Sequence, residues 1–377
     1  MDSNSMGLGR QRRAKSAYDR FIGSEGVPVI GGFGISSCRD VPVAPWPRLG
    51  CDGAYFRFFG SDGVLGVYLV KIAAGGATKP ERHIFEKIVY VLHGQGVAEI
   101  QQRDRVPQNL LWRAGSLFSP PLNTLHRLIN QSNEAALFLA VTTAPVALDH
   151  YRNRQFIFHN EFVFNDRYDG ADEYFEPNEE AYRSSDHREW IHQANFIPDV
   201  SALQQERAGS RRRRIKIARF EMAKNSLIGQ LVQWPVGRYR RAHCRSGAVV
   251  LLILRSSGYS LMWPSHLGTQ PYQDGRADQV VRIDWSPGSV FSPPPNWFHQ
   301  HFNTGAEAAE TLAFFCGSEA FPLSWRTDGA NAARFALAKQ NGALDFGSDD
   351  PSIRQLYEAE LAKNGIAPDK HSGAAAI

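Results

Sequence analysis

The chain has 377 residues, of which 43% are apolar and 21% charged, and its formal net charge is only +4. That length allows two domains of about 150 residues with connecting arms. So small a net charge gives no field for a nucleic-acid partner. The opening segment Met1 to Lys15 is polar and basic without the apolar core of a leader peptide, and no later window offers about 18 uninterrupted apolar residues. A soluble cytoplasmic protein with no membrane partner is therefore expected. Cys38, Cys51, Cys244 and Cys316 lie far apart without CxxC spacing, which fits reduced thiols rather than a disulfide frame or a zinc knuckle.

In chain order, residues 1–49 read as an N-terminal arm and 50–148 as a first β-domain. The first β-domain contains the β-forming run Lys87-Ile-Val-Tyr-Val-Leu92, closed by a turn at Gly94-Gln-Gly96. Residues 149–212 turn polar and aromatic, with acidic clusters near Glu179 and the run Arg211 to Arg214, and read as an inter-domain arm whose arginines form a solvated surface. A second β-domain follows at 213–322, with the run Ala248-Val-Val-Leu-Leu-Ile-Leu254 and a turn at Ser256-Ser-Gly258. Residues 323–377 form a C-terminal helical segment and tail. There Asp350 caps a helix with Pro351 at its first position and Ile353, Leu356, Tyr357 and Leu361 on one face. That face predicts packing on a barrel or across a homo-oligomer.

An internal repeat ties the two halves together. Residues 115–130, GSLFSPPLNTLHRLIN, and 288–303, GSVFSPPPNWFHQHFN, align without a gap and match at nine of sixteen positions, among them Gly115/Gly288, Asn123/Asn296, His126/His299 and Asn130/Asn303. In each copy a Gly turn launches a short strand, a Pro-Pro-x-Asn corner breaks it, and a second strand begins near the His. Many short strands with Gly and Pro turns predict an all-β barrel or sandwich in each half.

Both copies resemble the second motif of the cupin superfamily, G-x5-P-x-G/N-x2-H-x3-N, at every fixed position. The first motif, H-x-H-x3–4-E-x6-G, is degraded in both halves. Glu81-Arg-His83 is followed by Lys87 where the Glu is expected, and His243-Cys-Arg245 has Arg for the second His and Val249 for the Glu. More narrowly, Tyr18-Asp-Arg-Phe21, Ile88 to Leu92, Gly258 to Trp263 and Asn296 to Asn303 resemble bacterial bicupins labelled ethanolamine ammonia lyase-activating protein. The resemblance implies two cupin barrels (double-stranded β-helix, or jelly roll) in one chain with a C-terminal helix, and a divalent metal held by imidazoles and a carboxylate: Fe(II) first, Mn, Ni or Zn as alternatives.

Residues two apart on a strand share a face, which pairs Glu81 with His83, His243 with Arg245, and His299 with His301. Glu81, His83 and His126 could thus supply two imidazoles and a carboxylate in the N-terminal barrel, with Lys87 either beside the metal or ion-paired to Glu81 so that the ligand is lost. His243, His299 and His301 could form a three-imidazole set in the C-terminal barrel. There Arg245 would anchor an anionic substrate, and Trp297, with Trp263, Phe291 and Phe298, would wall a pocket for a planar ligand. The C-terminal barrel reads as the working site, with Arg245 and Trp297 as its catalytic candidates. The other histidines, His93, His150, His159, His187, His192, His266 and His371, read as surface or core residues. Three functions fit: an Fe(II) dioxygenase acting on a small aromatic or carboxylated compound, a non-oxidative isomerase, decarboxylase or lyase, and a non-catalytic binding or accessory protein favoured by the degraded first motifs.

Overall fold

A computed structural model describes residues 14–61, 63–176, 181–184, 190–202, 216–323 and 350–368. The Glu179 acidic cluster, Arg211 to Arg214, His187 and His371 lie outside the described residues. Each half is a pair of β-sheets. In the N-terminal half, an eight-stranded sheet has Cys51–Phe58, Gly66–Ile72, Ala136–Thr142 and Lys87–His93 as its middle strands. It faces a three-stranded sheet of Leu125–Asn130, Gln95–Gln101 and Gln108–Arg113. The C-terminal half repeats the plan. Its eight-stranded sheet centres on Lys216–Glu221, Leu227–Trp234, Ala309–Cys316 and Val250–Arg255, and its four-stranded sheet orders Tyr239–Cys244, Trp297–Asn303, Gly258–Pro264 and Val281–Trp285. This is the duplicated all-β jelly-roll organisation expected from the sequence.

Burial explains why the strands differ in composition. Middle strands of the large sheets are apolar on both faces because both faces are covered. In the N-terminal half Tyr55, Tyr68, Val70, Val89 and Phe138 point into that half's own interior, whereas Phe56, Phe58, Val67, Ile88 and Leu139 pack against Phe220, Leu227, Leu231, Val250 and Phe314 of the other half. The three-stranded sheet has solvent on one side, and its strands alternate, as in the Leu125–Asn130 strand with His126, Leu128 and Asn130 buried between half-buried neighbours. The two middle strands of its counterpart in the C-terminal half are buried almost throughout, because the Pro351–Lys363 helix covers the sheet's outer face.

That helix behaves as its pattern predicts, on its own half: Ile353, Tyr357 and Leu361 are buried against Ala242, Tyr259, Leu261, Phe298 and Phe302, with Leu356 partly buried beside them. Asp350 caps the helix by accepting from the Ser352 N–H at 2.9 Å, and the Tyr357 hydroxyl donates to the Asn303 carbonyl at 2.9 Å.

The repeated residues do the same work twice. Gly115 and Gly288 have φ of 92° and 89°, and Asn123 and Asn296 have φ of 60° and 63°, so the turn before each short strand and the corner after it both use a positive φ of the kind Gly and Asn supply. Asn130 donates to the carbonyls of Ala73 and Glu134, and Asn303 to those of Pro235 and Glu307. Ser116 donates to Pro198 at 2.8 Å and Ser289 to Ser36 at 2.5 Å.

Those two serines mark what sequence patterns did not reveal. The segments read as arms are exchanged between the halves. Gly34–Ile35 pairs with Val290–Phe291 at the edge of the C-terminal sheet, and Phe196–Ile197 pairs with Leu117–Phe118 at the edge of the N-terminal sheet. Just before the exchanged strand in each arm, Val29–Gly32 runs parallel to Cys51–Phe58, and Trp190–Gln193 parallel to Lys216–Glu221. Glu86 adds a polar clamp between halves, accepting from the Ser226 N–H and hydroxyl and from the Leu227 N–H at 2.7–2.9 Å.

The helix contact yields a stability prediction. Tyr357→Ala should cost about 3 kcal/mol and Tyr357→Phe about 1 kcal/mol in denaturant unfolding followed by tryptophan fluorescence. Equal, negligible losses would mean that the helix contributes nothing to the stability of the sheet it covers.

Candidate metal centre

Two groups of ligand-bearing side chains converge among the described residues, one inside each half: His243, His299 and His301, and Glu81, His83 and His126, with the ligand atoms of each group within 4.8 Å of one another. Both are placed by the same strand pairing. His243 lies opposite His299 in the C-terminal half, and Glu81 opposite His126 in the N-terminal half. Glu81 thus holds the strand position of His243, and Lys87, six residues on, that of Val249.

In the C-terminal group each imidazole is held by its Nδ1. His243 donates to the Arg241 carbonyl at 3.0 Å and His299 to the Trp297 carbonyl at 3.3 Å. His301 Nδ1 is bonded to the Ser260 hydroxyl at 2.8 Å, which in turn accepts from the Trp285 indole at 3.0 Å. A carbonyl can only accept, so His243 and His299 carry their proton on Nδ1 and present an Nε2 lone pair. This is how metal-binding imidazoles are oriented by an outer layer of partners. The ring centroids are 4.1 Å apart for His243 and His299, 5.5 Å for His299 and His301, and 6.0 Å for His243 and His301. Burial, followed by the neighbouring His299 imidazole and the Arg240 guanidinium, pushes His243 and His301 well below the ordinary histidine range, and burial with Arg245 lowers His299 to about 3. Three neutral imidazoles in this arrangement fit a divalent metal.

The cavity above them holds about 20 Å³, room for one or two water-sized species. It is lined by Gln230, Trp234, Arg240, Arg245, Val249 and Thr311 besides the histidines. Arg245 therefore lies where the sequence put it, packed over the Phe315 ring at 5.0 Å. Arg240 is an addition, and its cause is a β-bulge: the register to the opposite strand slips between Arg240 and His243, so both side chains line the cavity although they are an odd number of positions apart. Strict alternation would have chosen Arg241.

The aromatic wall needs correction. Phe291 does face the interior, 5.9 Å from His301. Trp263 and Phe298, however, lie on the outer face of the sheet under the C-terminal helix, because they alternate with the inward Met262 and His299. Trp297 stands outside the cavity lining, beside Phe33 at 5.6 Å. The aromatic group that does line the cavity is Trp234, 6.4 Å from His301, contributed by a strand with no motif to flag it.

In the N-terminal group the structure brings Glu81, His83 and His126 together and adds a cation. Lys87 Nζ donates to Glu81 Oε1 at 2.6 Å and to His126 Nε2 at 2.9 Å. His126 Nδ1 donates to the Thr124 carbonyl at 3.0 Å, which leaves Nε2 as the acceptor. The other Glu81 oxygen accepts from Arg48 Nη1 at 2.8 Å, and Arg48 also pairs with Glu25 at 2.5 Å. Burial alone would raise the Glu81 carboxyl, but the Lys87 ammonium and the Arg48 guanidinium hold it well below the ordinary range. His83 lies flat on Phe85 at 3.7 Å with Nδ1 donating to the Phe85 carbonyl, and its buried Nε2 has no hydrogen-bond partner.

No protein-family model and no curated protein matches the chain, so the narrower resemblance to the ethanolamine ammonia lyase-activating bicupins rests on its motifs alone. Among solved structures, an oxalate decarboxylase from Bacillus subtilis is similar over 82% of this chain and 85% of its own, at 14% identity and a TM-score of 0.48. A salicylate 1,2-dioxygenase from Pseudaminobacter salicylatoxidans is similar over 67% and 71%, at 12% identity and a TM-score of 0.47. Among the described residues no helix is long and apolar enough to cross a membrane.

Arg48 offers the clearest test of the N-terminal network. Arg48→Met strips one partner each from Glu25 and Glu81 and should cost about 3 kcal/mol in thermal unfolding, with the metal content of the protein unchanged. Loss of metal together with stability would show instead that the Glu81 group itself holds metal.

Proposed function

We propose that the chain is a metal-dependent enzyme of bicupin architecture whose working site is the C-terminal half. His243, His299 and His301 hold one divalent ion, and Arg240 and Arg245 hold the carboxylate of a small anionic substrate. The observation that carries this reading is the set of three buried imidazoles whose Nδ1 atoms are each bonded to an outer partner. Without a carboxylate ligand the bound ion keeps its full charge, and two guanidiniums on the same cavity add to the attraction for an anion. In such a site the metal supplies Lewis-acid polarisation or a place for dioxygen. The chain's own residues bind and orient the substrate, and the narrow cavity between the sheets leaves little room for bulk water.

Iron with oxygen-dependent chemistry on a small carboxylated compound is the first reading. A non-oxidative lyase or decarboxylase using Mn, Ni or Zn is the second, favoured by the small cavity and by Trp263 and Phe298 facing away from it, since both suit a compact carboxylate better than an aromatic ring. Metal analysis of protein purified without added metal, followed by oxygen uptake and carbon dioxide release with a panel of short carboxylates and phenolic acids, separates the two. Iron with substrate-dependent oxygen uptake supports the first; another metal with oxygen-independent release of carbon dioxide supports the second.

His299→Ala should abolish metal binding, while His126→Ala should keep it and cost mainly stability. The reverse result would move the site to the N-terminal half. Arg245→Gln and Arg240→Gln should each weaken carboxylate binding by roughly ten- to hundredfold, the worth of a charge-assisted hydrogen bond, with metal content unchanged. Carboxylate titrations of the Co(II)-loaded protein, read from its visible spectrum, check this.

A further inference from the structure

The N-terminal group has the donors of a metal centre, yet a cation from the chain itself already occupies it. Lys87 Nζ sits 2.6 Å from one ligand atom and 2.9 Å from another, on a side chain only 5% exposed. We propose that Lys87 is a built-in replacement for the metal: its ammonium neutralises Glu81 and saturates His126, so that this half folds without an ion. Removing the ammonium would expose a site for a divalent metal made of Glu81, His83 and His126.

Three observations support the inference independently of the activity assigned to the other half. First, the strand position of Lys87 is that of Val249, which lines the cavity of the C-terminal half, so the ammonium reaches into the matching interior. Second, the His83 Nε2 atom is buried with no hydrogen-bond partner. A native interior seldom leaves such a group unsatisfied, and a bound ion would use its lone pair. Third, Glu81 is fixed by Arg48 through its other oxygen, so its Oε1 stays in place when Lys87 goes. An ammonium and a divalent ion compete here for the same two acceptors, and the ammonium has the advantage of being attached to the chain.

The experiment uses Co(II), whose visible absorption reports its ligands, in full-length chains carrying His299→Ala to silence the other group. His299→Ala alone should bind no Co(II) at the N-terminal group. His299→Ala with Lys87→Ala should bind about one equivalent, and adding His126→Ala should abolish it. Co(II) bound by a centre that includes Glu81 and His126 in the presence of Lys87 would overturn the proposal, as would a folded Lys87→Ala protein that binds none. If Lys87→Ala does not fold by itself, Lys87→Arg, which keeps a cation, should fold, and Co(II) should restore folding to Lys87→Ala. Failure of that rescue would likewise overturn it. Failure of His299→Ala to lose metal from its own centre would strike the functional reading of the C-terminal half and leave this one standing.

Discussion

A carboxylate inside a β-sheet interior is tolerated only if its charge is balanced at short range, and Glu81 is balanced on both oxygens. Lys87 takes one and Arg48 the other. Arg48 then reaches on to Glu25 and lies against the rings of Trp46, Phe21 and Phe158, which ties the first helix, the chain leading into the first sheet and the segment between the halves to one buried charge. The N-terminal half is therefore organised around an ion pair that no single element could form alone. The C-terminal half answers the same problem of buried polar groups with three imidazoles that stay neutral, each anchored through Nδ1. Two copies of one fold thus carry opposite solutions: an internal cation in one, a set of lone pairs in the other.

Much of this was legible in the sequence because the repeat concerns backbone geometry. The Gly and Asn of each copy sit at positive φ, and the Ser and Asn side chains make matched bonds to backbone carbonyls. A motif that encodes corners and caps in this way identifies the strand that begins just beyond it, and so the facing positions of His126 and His299. The C-terminal helix was legible for a similar local reason, since a cap, a proline and one apolar face suffice.

What the sequence did not show depends on partners distant along the chain. Strict alternation fails at a bulge, and the bulge between Arg240 and His243 is fixed by the opposite strand rather than by any residue of its own. The position of Trp263 and Phe298 was misjudged because helix 351–363 covers a face that would otherwise be exposed, so both faces of the strand are apolar. Lys87 was recognised as a cation near the site, but its hydrogen bond to His126 becomes visible only when the two strands are folded together. The exchange of arms left no trace at all, since two-residue strands such as Gly34–Ile35 carry no periodicity.

That exchange bears on how the chain reaches its native state. The strand at Gly34–Ile35 leaves the ribosome long before its partner at Val290–Phe291; the neighbouring bond from Ser289 to Ser36 spans 253 residues. Closing so long a loop is slow compared with local pairing. In the interval the arm is an unpaired β-segment available to any sheet edge nearby, including the same edge on a second nascent chain. The topology that locks the two halves together in the finished molecule thus leaves its assembly open to domain-swapped association.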